Sequence, residues 1–104
     1  MILVNTDFIS GKELETIGIV KGTTIQAKHL GNDILSGIKM MFGGELKAYS
    51  DMLHNARALA TKRMVQEAEK LGADAVVNIR YASGNVAMGA AEVMVYGTAV
   101  KFRQ

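Results

Sequence analysis

Residues 69–81 read EKLGADAVVNIRY, and the fold turns on where this stretch divides. Lys70-Leu71-Gly72 has the form of a helix end. A cation sits in the last turn, a leucine packs inward, and a glycine takes the left-handed position at low cost. The residues that follow, ADAVVNIRYAS (73–83), are rich in β-branched and apolar side chains and read as a strand. Upstream, residues 45–71 hold no Gly or Pro. Leu46, Tyr49, Leu53, Ala56, Ala60, Met64, Ala68 and Leu71 recur every three or four residues, the stripe of a long amphipathic helix. At 1.5 Å per residue it would run roughly 40 Å.

The other elements follow from this anchor. AAEVMVYGTAVKF (90–102) is a second strand, and the glycine-containing connection before it makes the pair an antiparallel hairpin. MILV (1–4) reads as a short edge strand. Residues 15–28 read as a longer strand, with Gly22 marking a bulge or bend. GNDILSGIKMMFGG (31–44) places Ile34, Leu35, Ile38, Met41 and Phe42 on one helical face, with Asn32 or Asp33 as cap and Gly43-Gly44 as stop. The expected fold is therefore α+β: a mainly antiparallel sheet, in the order ββααββ, packed on one long and one short helix. One domain over residues 1–104 is the natural size.

In the last strand Val93, Val95 and Ala99 point one way, while Met94, Tyr96 and Val100 point the other. Both sets are apolar, so both faces need cover. Residues 75–82 repeat this more weakly, with Ala75, Val77, Ile79 and Tyr81 opposed to Val76, Asn78 and Arg80. Two helices cover one face, and 104 residues leave nothing for a third layer. Further copies of the chain are the economical cover for the second face.

Composition narrows the chemistry. Without cysteine, disulfides and thiolate metal sites are excluded. Twelve basic and ten acidic residues give a net charge of only +2 with no long basic run, which points away from nucleic acid. MILVNTDFISG lacks the features of a signal peptide and no apolar run reaches membrane-spanning length, so a cytoplasmic location without membrane contact is expected.

Few residues offer chemistry. With the hairpin connection centred near residues 86–87, Arg80 lies across from residues 92–94 and pairs with Glu92. The functional counterpart is an arginine at a subunit junction that binds an anion. Asp51 and His54, three apart on the long helix, supply two metal ligands where a stable site needs three or four. His29 lies at an unknown distance. Seven methionines suit Cu(I) in principle, but their positions read as core filler. Glu45 follows Gly43-Gly44 at a helix start, where free N–H groups attract anions and where the glycines also permit a sharp corner. Ser50, His54 and Asp51 form a triad only on paper, since no strained turn or oxyanion hole accompanies them. No catalytic role is expected.

The stretch GGELKAYSDMLHNARALATKRMVQEAEKLGADAVVNIRY, followed by EVMVYGTAVKF, resembles the YbjQ-like family of small uncharacterised bacterial proteins. The earlier residues 14–45 fit the same pattern, so the resemblance covers nearly the whole chain. It implies a dodecin-like α+β subunit, a homopentameric ring, and a heavy-metal-binding label for which these residues offer few ligands. Gly43, Gly44, Glu45, Tyr49, Gly72, Arg80 and Gly97 match recurrent family positions. Two functions are then in view. One is a homo-oligomeric module binding a metal ion or small anion at subunit junctions, with Glu45, Tyr49 and Arg80 as ligand contacts and His54 and Asp51 as metal ligands. The other is a structural or regulatory assembly that binds a protein partner.

Overall fold

Gly72 ends the long helix as its sequence position demands. Its φ of 75° is left-handed; its N–H donates to Glu69 O, and the N–H of Ala73 donates to Ala68 O. These two bonds are the Schellman closure, accompanied by packing of Ala73 onto the core that contains Ala68. Leu71 departs from expectation, being 49% exposed rather than packed inward. The apolar contact of the cap is made by Ala73 instead.

The computed structural model describes residues 1–27, 44–87 and 90–103. Its elements are β1 (Ile2–Leu3), β2 (Leu14–Ala27), α1 (Gly44–Lys70), β3 (Ala75–Ala87) and β4 (Ala90–Phe102). The short helix expected over residues 31–44 falls almost wholly outside the described residues. The four strands form one mixed sheet in the order β1-β3-β4-β2. β1 runs parallel to β3, and the β3–β4 and β4–β2 pairs are antiparallel. No described helix is long and apolar enough to cross a membrane.

Helix α1 lies on one face, chiefly over β2 and β4. Ala56, Ala60, Met64 and Ala68 are fully buried there against Val20, Val76, Ile79, Val93, Val95 and Ala99. Three of the four helix residues are alanines, so backbone meets backbone closely. Gly22 is the consequence. A Cβ on it would fall on the carbonyl oxygen of Ala60 and within 2.6 Å of Met64 N. The glycine thus marks a helix contact and not the bulge its sequence context suggested. The bulge in β2 lies earlier, between Thr16 and Gly18.

A second bulge reorders β3. Val77 pairs with Thr98 and Arg80 with Tyr96, so Asn78 and Ile79 together oppose one residue of β4. Asn78 has φ 54°, a conformation that asparagine tolerates better than most residues. The extra residue reverses the expected alternation. Ile79 joins Val76 in the helix-side core. Tyr81 follows to that side, where its hydroxyl lies 2.9 Å from Thr61 Oγ1 of α1. Arg80 moves to the face of Ala75 and Val77.

That second face is not bare at its lower end. Val4 and Ile9, with Leu14 and Phe102, pack on Ala75, Val77 and Val100. The N-terminal segment is therefore a partial third layer, which sequence reasoning had denied. Further along the strands this cover stops. Ile19 is 77% exposed, Ile25 61% and Tyr96 41%. Strands of thirteen and fourteen residues also make a long body, with extents of 57 × 22 × 15 Å. Its radius of gyration is 17.2 Å, against about 13 Å for a compact chain of this length.

Replacing Gly22 by alanine should cost roughly 3 kcal/mol, because two backbones must separate. Gly84→Ala, where nothing lies within 4 Å, should be neutral or slightly stabilising. Urea midpoints at unchanged slope measure both; equal midpoints would refute the close helix approach.

Candidate functional site: a depression beside the β3 bulge

The bulge at Asn78 and the exposed face of β4 together shape a depression of about 320 Å³, lined by Ile19, Asn78, Arg80, Tyr96, Gly97 and Thr98. It lies on the face opposite α1, just beyond the N-terminal cover. Asn78 and Thr98 are half-buried, while Ile19, Arg80 and Tyr96 are exposed. The walls are one isoleucine and one aromatic ring. Among the described residues the polar groups are a guanidinium, an amide and two hydroxyls, with no carboxylate.

Arg80 is held in place by backbone. Its Nη1 donates to Asn5 O and to Ile79 O, each at 3.0 Å. The expected pair with Glu92 does not form. The strands continue to an Ala87–Ala90 pairing, which sets Gly84 opposite Glu92 and Tyr96 opposite Arg80. The hairpin connection, placed two residues too early, accounts for that error, and the register shift between Asn85 and Ala87 offsets it by one residue. Arg80 thus ties the N-terminal segment to β3. Among the described residues the ion pairs are Lys47–Asp51 and Arg103–Glu15, so Arg80 has no acidic partner there.

The other candidates are not gathered with it. Tyr49, Asp51 and His54 sit on α1, on the far side of the sheet. Tyr49 is half-buried and His54 exposed. Asp51 is engaged by Lys47 Nζ at 3.2 Å, both side chains being solvated, an arrangement worth little energetically. Glu45 lies in the first turn of α1, but its side chain is outside the described residues, as is His29. No group of three or more His, Asp or Glu among the described residues could hold one metal ion. The described ligands alone do not make up a heavy-metal site, which needs three or four donors. Sequence reasoning missed Asn78, Tyr96 and Thr98 as neighbours of Arg80. The available signal was the asparagine within an otherwise apolar VVNIRY, a residue suited to the bulge.

The fold and the depression define a small α+β sheet protein with an incompletely covered second face. A sequence-family model described as "Putative heavy-metal-binding" matches residues 1–103. The chain belongs to this YbjQ family. A "UPF0145 protein" from Alkaliphilus metalliredigens is 74% identical over 102 residues, spanning 98% of this chain and 99% of that one. Another "UPF0145 protein", from the archaeon Methanosarcina acetivorans, is 58% identical over 97% of this chain and 96% of its own length. The family therefore reaches beyond bacteria. In structure, the chain is similar to a Pediococcus pentosaceus protein of unknown function in the DUF74 family, with a TM-score of 0.67, 16% identity, and 99% and 98% of the two chains covered. At that identity the likeness concerns the fold.

Two outcomes test this geometry. Zn²⁺ titrations of the wild type and of His54→Ala should superimpose; a saturable heat lost in the variant would restore the helix site. Asn78→Val should cost about 1–2 kcal/mol in thermal or urea unfolding, since a β-branched residue resists positive φ, whereas Asn78→Gly should stay close to wild type.

Proposed function

We propose that this chain is a cytoplasmic, non-catalytic subunit that assembles with copies of itself and holds a small ligand where subunits meet. The observation carrying this reading is the uncovered sheet face, where Ile19, Ile25 and Tyr96 remain exposed beyond the end of the N-terminal layer. Burying apolar surface yields about 25 cal/mol per Å², so large apolar side chains left exposed on one face favour association. The elongated body supports the same reading, because a ring of such subunits compensates for the thinness of one. The family resemblance supports a dodecin-like subunit in a ring of five. Arg80, at the margin of the open face, is the ligand contact this arrangement favours. Tyr49 and Glu45 belong to the helix side and would serve a different junction. A resident metal is the weaker version of the ligand, for want of clustered donors among the described residues.

Light scattering on a sizing column, at well above micromolar concentration, gives the native mass. A five-copy ring would weigh five times 11.2 kDa, about 56 kDa. Ile19→Glu with Tyr96→Glu should shift the particle to lower mass while leaving the circular dichroism of the subunit intact. A wild-type particle of 11.2 kDa would overturn the proposal.

A further inference from the structure

We infer that the depression beside the β3 bulge is a binding site for a small planar carboxylate. The guanidinium is the starting point. With Nη1 committed to Asn5 O and Ile79 O, the Nε–Nη2 edge of Arg80 is left, and its two parallel N–H groups match the two oxygens of a carboxylate. The two carbonyl bonds fix the fork before any ligand arrives, so little side-chain freedom remains to be lost on binding.

The surroundings select the rest of the ligand. Among the described residues no acid lines the depression, so none of them competes for the fork or repels an anion. The Asn78 amide and the Thr98 hydroxyl, both half-buried in the same hollow, supply further hydrogen-bonding groups beside it. The Ile19 side chain and the Tyr96 ring offer apolar walls, suited to a flat hydrocarbon body. About 320 Å³ lies at the small end of ligand sites, which suits a small molecule. The inference deepens the self-assembly reading and rests on it. A neighbouring copy across the open face would exclude water and so strengthen the ion pair at Arg80.

Benzoate is a suitable probe, with benzamide as its neutral counterpart. Calorimetry on the full chain should give saturable benzoate binding that weakens with salt, and none for benzamide. Arg80→Lys should raise the dissociation constant about tenfold, as expected for loss of one charge-assisted hydrogen bond. Tyr96→Ala should weaken binding while the circular dichroism of the subunit stays that of the wild type, since that ring is partly exposed. This second variant keeps the test valid if Arg80→Lys loosens the N-terminal segment. Equal binding of benzoate and benzamide, indifference to both substitutions, or absence of saturation would each overturn the carboxylate site. Light scattering on the same samples separates the two readings. An oligomer that ignores benzoate refutes the site alone, while an 11.2 kDa particle refutes the assembly reading and the site with it.

Discussion

The contact between Gly22 of β2 and the Ala60–Met64 turn of α1 governs the layout of the molecule. Alanines at 56, 60 and 68 lower the helix onto the sheet, and only a residue without a side chain fits beneath it. Because the helix is held over β2 and β4, β3 receives little of it. Tyr81 reaches across to Thr61, but residues 82–86 remain exposed. A bulkier helix stripe would stand further off and could centre on the sheet. The small stripe commits the helix to one side, and the rest of the architecture adapts.

The bulge at Asn78 is the second constraint, and it explains the position of Arg80. In a regular strand Arg80 would face α1, among alanines and valines, where an unpaired guanidinium costs several kcal/mol. The extra residue turns it to the open face and brings Ile79 into the core in its place. There the guanidinium meets the carbonyl of Asn5, which the N-terminal segment presents as it runs alongside β3. The same segment gives Val4 and Ile9 to the smaller core. One inserted residue thus sets core composition, anchors the third layer and shapes the depression.

Much of this was legible in the residues. The long helix and its buried alanines, the glycine cap, and the β3–β4 hairpin all follow from spacing and from turn chemistry, since local preference and tertiary packing agree there. The faces of β3 were not legible. Period-two alternation carries no warning of an inserted residue, and one bulge inverts every assignment beyond it. The cover supplied by Val4 and Ile9 was hidden for another reason. A turn-rich segment shows no periodicity, so its apolar residues do not announce which surface they reach. Of the candidate residues, Arg80 was recognisable as unusual, but its partners depended on long-range register. Asp51 and His54 were rightly placed on the helix, yet the spacing alone could not say that Lys47 engages the aspartate.

The two long edges of the sheet are handled differently, which bears on where further protein could add. On the β2 edge, α1 reaches over: Arg63 Nη1 donates to Thr23 O at 2.7 Å, and Glu67 Oε1 accepts from Lys21 N at 3.4 Å. Charged helix side chains thereby occupy backbone groups that a foreign strand would need. On the β3 edge, β1 and the residues after it satisfy Val76, Asn78 and Ile79, and residues 81–86 carry no charged side chain. Among the described residues the open stretch begins where the open face begins, next to Arg80. An exposed edge and an exposed apolar face side by side are costly for an isolated chain, because each invites association on its own. A single neighbour seated at that corner would relieve both at once and would close the depression between them.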